Sequence, residues 1–472
     1  MSAATSRDRY VLLALVLGAF MTALDATIVS VALPTIARDI GEAGHSTTNI
    51  SWVLLSYTLM LCCFILLWAK LGTNLGYRRI FVLGISLFTV CSLAIGLCGF
   101  LPQLGLGVII LLRAAQGLGA GMAMAMSLAM VAAYLPVSVR GSAIGTVTLA
   151  ASAGTAFGPA IGGLLTAIHW SLIFFINVPI GLICIALCIR YIQNQTPIAH
   201  GRLDLMGAVM LFIMLFALIF YLNQGQCLGW TSETGLGLLL IAAIAGGLAA
   251  WWESHTTDPL VSPRLINQRG VVSASLVCLL LFMGMAGSYL LLPYYLQFVQ
   301  GYSTIEYGFI LIANSIGMIA AGPAVGRLTD RRGTGRDFIP LGCLIAAAGF
   351  FLITLFGNGT SLWFILLALF VMGAGMGTAL VAATSYTFAF GQAGEDGAIS
   401  GITNTFRMAG SSTGVALLST VFLANVIVTP TVNLVPGFHH AFFIAIVLSL
   451  AAFTVAMSLK HEPTIAGDGT GV

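Results

Sequence analysis

Fourteen apolar stretches follow one another along the chain, at about 10–33, 49–69, 80–100, 104–133, 139–167, 170–192, 205–223, 234–252, 271–298, 305–327, 338–357, 361–387, 397–426 and 438–459. A helix needs about 20 apolar residues to cross a bilayer. Helices are the expected form, because an open sheet edge cannot satisfy its backbone in lipid. The alternating pattern of a membrane barrel is absent. Fourteen such spans leave roughly 13 residues per connection, too few for a soluble domain.

Composition agrees with this. Of 472 residues, 59% are hydrophobic and 7% charged; a soluble domain carries about 25% charged residues. With a mean hydropathy of +1.04, a soluble enzyme, a nucleic-acid reader and a disordered scaffold are all excluded. The net charge of +3 is scattered, and no nucleic-acid partner is expected. None of the nine cysteines forms a C-x-x-C pair, and the seven histidines fall at loops or span ends. Neither a disulfide framework nor a metal site is expected. Asp25 interrupts the first apolar run, which is too long for a signal peptide and is read as an uncleaved span.

The basic residues orient the spans. With the N-terminus inside, fifteen of the eighteen Lys and Arg residues fall on inner segments, Arg38 alone falls outside, and Arg113 and Arg407 lie within spans. That bias predicts a multi-pass protein of the cell (inner) membrane with both termini cytoplasmic.

Three features recur in order. The loop after span 2 reads AKLGTNLGYRR (69–79) and that after span 10 reads GRLTDRRGTGR (326–336), placing Gly76 against Gly333 at an offset of 257. Gly-Ala-Gly-Met begins at Gly119 and again at Gly373, offset 254; a Gly-x-x-x-Gly pair falls at Gly154/Gly158 and Gly410/Gly414, offset 256. This argues for duplication. Spans 1–6 pair with spans 9–14, and spans 7 and 8 are an insert. The expected organisation is a first half over 1–196, two linker helices within 197–265 and a second half over 266–472. Duplicated six-helix halves are a transporter architecture, with the substrate site between them near mid-membrane.

The motifs resemble the major facilitator superfamily and, within it, the fourteen-span drug:proton antiporters. Residues 24–34 read LDATIVSVALP against that branch's LDxTIVNVALP, with Ser30 in place of Asn. Arg113, Gln116, Gly117 and Gly119 fit its RxxQGxG. Gly154, Gly158, Pro159, Gly162 and Gly163 fit the antiporter motif of span 5, and residues 174–181 read FFINVPIG, another mark of the branch. The resemblance implies an all-α integral membrane protein with the major facilitator fold: two pseudo-symmetric six-helix bundles plus two inserted helices, fourteen in all. In the family the loop after span 2, here with Gly76, Arg78 and Arg79, latches the halves through an Asp. Ala69 and Thr73 replace its first Gly and that Asp here. The second copy keeps Gly326, Asp330 and Gly333, so the resemblance implies that this loop carries more of the latch.

Asp25 is the acidic residue deepest in a span. A charge at bilayer centre costs about 2.5–3.5 kcal/mol on insertion scales, and low dielectric favours the neutral form. Such a carboxyl can carry a proton, pair with a cationic substrate, or serve as a structural partner of Arg113. Arg113 cannot lose its proton and must face a carboxylate, carbonyls or water. Gln116 lies three residues on, on roughly the same face. Gly158-Pro159 predicts close helix contact with a bend. Thr22, Trp52, Tyr57, Met122, Tyr294, Tyr295 and Gln297 are candidate lining of an apolar cavity, and Arg407 is a cavity cation or gate residue.

No P-loop occurs, so transport must run on an ion gradient or downhill. The expected activity is proton-coupled export of small amphipathic, mostly cationic, drugs or biocides. It needs only substrate, protons and the bilayer as partners, no cofactor, and a monomer suffices. A dedicated exporter of one native metabolite is the alternative, with a membrane enzyme a weaker one. No catalytic cluster at a membrane face speaks for an enzyme.

Overall fold

The computed structural model describes residues 6–39, 47–101, 105–193, 204–256, 259–260, 263–332, 335–392, 395–426 and 434–459. The first half comprises α1 (Ser6–Asp39), α2 (Thr47–Cys63), α3 (Ile65–Leu75), α4 (Tyr77–Cys98), α5 (Gly105–Tyr134), α6 (Arg140–Ile168), α7 (Leu172–Phe175) and α8 (Asn177–Tyr191). Two helices follow, α9 (Leu205–Leu228) and α10 (Glu233–His255). After the short α11 (Pro263–Asn267) come α12 (Arg269–Tyr294), α13 (Thr304–Arg332), α14 (Phe338–Thr354), α15 (Leu362–Phe388), α16 (Asp396–Ala424) and α17 (Val435–Met457).

Among the described residues eleven helices are long and apolar enough to cross a bilayer, and two bent pairs, each counted as one span, would bring the number to thirteen. The apolar α14, at 17 residues, is shorter; counted as well, it would make the described helices consistent with the fourteen expected. Span 2 is bent by 48° between α2 and α3. No proline or glycine marks that bend. Phe64 leaves the helix line there, and its ring packs 5.0 Å from that of Phe212 on α9. Span 5 bends by 40° just before Gly158-Pro159, where proline removes a helix hydrogen bond. Gly76 turns α3 into α4 at φ 98°, a conformation that favours glycine. Asp204 and Ser232 cap α9 and α10 by accepting from the Gly207 and Gly235 amides.

Glycine contacts make the duplication visible. A side chain at Gly154 would run into Phe20 and Leu24, and one at Gly158 into Thr27 and Ile28. In the second half, one at Gly410 would meet Leu279 and one at Gly414 would meet Met283. Thus α6 sits on α1 as α16 sits on α12, at an offset of about 256. The same comparison corrects a register. Gly117, Gly119 and Gly121 press on Tyr57, Gly84 and Leu61, while Gly373, Gly375 and Gly377 press on Asn314, Ala346 and Met318. Gly119 therefore matches Gly375 at offset 256, and the Gly-Ala-Gly-Met strings at offset 254 are out of step. Composition misleads here because alternating Gly and Ala make a two-residue slip look identical.

The halves meet along two seams. α13 packs along α6, with Gly326 on Gly141, Gly322 near Gly145, and Gly308 on Ala160. The start of α16 packs on α3 and α5. There Ser400 Oγ donates to the Ala125 carbonyl at 2.6 Å, and Asn404 Nδ2 to that of Met124 at 3.2 Å. This second seam closes the end carrying Arg7, Arg78, Arg140 and Arg264. Arg7 reaches the Tyr191 carbonyl, Arg78 those of Cys188 and Ile189, and Arg264 pairs with Glu395. Among the described residues no comparable packing joins α1 to α12. At the opposite end a cavity of about 530 Å³ opens between Val31, Thr35, Arg38, Gly163, Thr166 and Ser303. The inserted α9 lies against α2 and α16.

Candidate functional site

Asp25 and Arg113 are both fully buried. Arg113 Nη1 donates to Asp25 Oδ2 at 2.6 Å. Asp25 Oδ1 accepts from Gln116 Nε2 at 3.1 Å and from Asn177 Nδ2 at 3.0 Å. Gln116 receives Arg113 Nη1 on Oε1 at 2.6 Å and donates to Ser92 Oγ at 2.7 Å. Arg113 Nε donates to the Val53 carbonyl at 3.1 Å, and the guanidinium lies over Tyr57, 4.3 Å from the ring centre. The ion pair thus has hydrogen-bond partners on α2, α5 and α8, with Ser92 of α4 holding Gln116 behind it, and a cationic face on an aromatic ring. A buried pair needs such support to offset desolvation. Among the described residues one nitrogen, Arg113 Nη2, and one oxygen, Asn177 Oδ1, have no partner.

The sequence explains the local geometry. Arg113 and Gln116 are three apart on α5 and share a face. Asp25 faces them from α1, whose position against α6 is set by Gly154, Gly158 and Gly162; a side chain at Gly162 would touch Ile28 at 3.0 Å. Thr27 Oγ1 bonds across to the Thr155 carbonyl at 3.2 Å, so the antiporter motif holds the helix that carries Asp25. Gly163, one residue beyond, lines the open cavity. Tyr57 is buried beneath Arg113, and its hydroxyl donates to the Thr22 carbonyl at 3.3 Å.

Other residues named from the sequence lie elsewhere. Trp52 is turned to Phe220 on the inserted α9, 5.8 Å between rings. Met122 packs where Gly84 of α4 would carry a side chain. Tyr294 is 43% exposed and flanked by Phe298 and Phe422. Tyr295 is buried, stacked on Phe438, with its hydroxyl donating to Gly357 at 2.7 Å. Gln297 is half-buried in the π turn Tyr295–Val299. Arg407 is buried in the second half, where Nη2 donates to Thr384 Oγ1 at 2.8 Å. Asn177 and Ser92 join the site without having been singled out as site residues. Asn177 is a polar group in an apolar motif, which is a signal; Ser92 carries none.

At the closed end Arg79 is exposed. Thr73, at the position of the missing Asp, faces Gly397 in the first turn of α16, and Tyr77 Oη accepts the Gly397 amide at 3.1 Å. The first-half loop therefore reaches α16 without a carboxylate. The side chain of Asp330, and Gly333 altogether, lie outside the described residues.

A duplicated bundle of membrane-length helices around a buried carboxylate–guanidinium pair defines a secondary-transporter architecture. Residues 15–415 and 275–469 match the profile of the Major Facilitator Superfamily, and the chain belongs to that family. It is 33% identical over 417 residues to the multidrug resistance protein Stp of Mycobacterium tuberculosis (88% of this chain, 75% of that one). It is 30% identical over 422 residues to the tetracenomycin C resistance and export protein of Streptomyces glaucescens (88% and 76%). The human organic anion transporter MFSD10 shares the fold, with a TM-score of 0.68 at 16% identity, covering 96% of this chain and all of that one.

Proposed function

We propose that this chain exports small amphipathic drugs or biocides, cations prominent among them, in exchange for protons by alternating access. The observation that carries the proposal is Asp25, fully buried and held by Arg113, Gln116 and Asn177. Protonation of that carboxyl would remove its attraction for Arg113 and for a substrate cation together; loss of the proton would restore both. Since both Asp25 oxygens are occupied in this state, substrate cation and Arg113 would compete for one carboxylate. The names of the relatives, multidrug resistance and tetracenomycin C resistance and export, support this direction and substrate class.

In this reading 1–196 and 266–472 rock about the site and 197–265 adds two linker helices. The basic end is cytoplasmic, and the monomer is the working unit in the cell membrane. A proton-motive force of roughly 150 mV supplies about 3.5 kcal/mol per proton. That supports roughly a 300-fold gradient of a neutral substrate exchanged for one proton. The test is ethidium efflux from energised cells, with and without a protonophore. Efflux that persists unchanged with the protonophore would remove proton coupling.

A further inference from the structure

Arg407 is a second buried arginine, 6% exposed, and among the described residues no ion pair includes it. Its Nη2 donates to the hydroxyl of Thr384, the ring face of Phe282 lies 5.4 Å away, and the thiol of Cys278 is close by. A hydroxyl and a thiol carry essentially no charge at neutral pH. Among the described residues its Nε has no hydrogen-bond partner, and neither do the buried hydroxyls of Ser275 on α12 and Thr403, one turn earlier on α16. The register set by Gly410 on Leu279 and Gly414 on Met283 brings Arg407 alongside the Ser275–Cys278 turn, with Thr403 one turn before it. A cation without a counter-charge and with unused donors, deep in an apolar bundle, is expensive to keep. Asp25 offers no relief, since Arg113 already holds it.

Position gives the cation a use. Arg407 is one turn beyond Asn404, which with Ser400 seals α16 to α5. Parting that seam would open the level of Arg407 to the space between the halves. By the 256 offset Arg407 corresponds to Ala151 on α6, so the first half has nothing equivalent. The two halves thus bury different chemistry: a carboxylate paired with Arg113 in one, a guanidinium with no carboxylate partner among the described residues in the other.

We propose that Arg407 binds an anionic group, a carboxylate or phenolate, on the transported molecule, and that the substrate range includes zwitterions. The inference rests on the export reading above but can be tested without transport. Rhodamine B, which carries a carboxylate, and its ethyl ester, which does not, form a matched pair. Their binding to the full chain in lipid nanodiscs would be followed by fluorescence anisotropy. The wild type should prefer the acid over the ester. Arg407→Gln should weaken the acid at least about tenfold, as loss of a close charge pair does, and should not weaken the cationic ester, which loses a like charge. Arg407→Lys, which keeps the charge, should retain part of the preference and guards against misfolding of the Gln variant. The preference should be equal in chloride and gluconate buffers of one ionic strength. Equal weakening of both dyes, preference of the wild type for the ester, or loss of the difference in chloride would overturn the proposal. Acid-selective binding without proton-driven efflux of either dye would instead overturn the export reading and leave the anion site standing.

Discussion

Replacing Asp25 by asparagine removes the charge that Arg113 was buried against, while leaving groups that can still hydrogen-bond to Gln116 and Asn177. Removing one partner of a buried ion pair costs about 3–5 kcal/mol. Asp25→Asn should therefore lower the melting temperature of the purified protein as well as stop protonophore-sensitive efflux. Adding Arg113→Gln should recover much of the stability but none of the transport. This separates a coupling role from a purely structural one: a double variant that regains proton-driven ethidium efflux would show that the pair serves only to hold the bundle. Cation export by Asp25→Asn at the wild-type rate, still abolished by a protonophore, would place the proton elsewhere.

Contacts between helices make two further predictions. At Gly158 the α1 backbone and Thr27 occupy the space a side chain would need, with Ile28 N at 3.2 Å from the nearest possible Cβ. Overpacking there costs about 1–3 kcal/mol or forces α6 off α1, shifting the helix that carries Asp25. Gly158→Leu should reach the membrane in normal amount yet abolish export; full export would remove the packing argument. At the closed end, Tyr77→Phe leaves the Gly397 amide without its acceptor. A buried donor left unmet costs about 1–3 kcal/mol, all of it in the state where α16 rests on α3. A cysteine placed at Ser400, in a background lacking the native thiols, should then be labelled about tenfold faster from the basic end. No change in labelling would show that Tyr77 does not help to seal it.

Over the whole molecule, the single-ended gathering of Arg7, Arg78, Arg140 and Arg264 agrees with the charge bias of the loops. Arginine on translocated segments is strongly disfavoured in short loops. Reporter fusions at His200 and Asn358 should accordingly read cytoplasmic and external. The same side for both would upset the span assignment. With the basic end cytoplasmic, as proposed, the arrangement sealed there, with a cavity at the other end, would be the outward-facing member of the cycle, and the seam through Ser400 and Asn404 would be the one to part.

Length and charge were enough to place nearly every helix from the sequence, because lipid leaves the backbone no partner except its own carbonyls. The same reasoning exposed Asp25 and Arg113, since a charge inside an apolar span is conspicuous wherever it points. Duplication was also legible, though the Gly-Ala-Gly-Met strings set one register two residues wrong. What the sequence could not supply was direction. A helix surrounded by apolar neighbours on one side and apolar lipid on the other shows little periodic contrast. Nothing in the residue pattern therefore told Tyr57, stacked on Arg113, from Trp52, turned to α9. Nor did it show that Asn177 and Ser92 complete the shell of Asp25 and Gln116, that Tyr295 is tied to Gly357, or that span 2 breaks at Phe64. Those facts depend on which helix each face meets, and only the tertiary packing decides that.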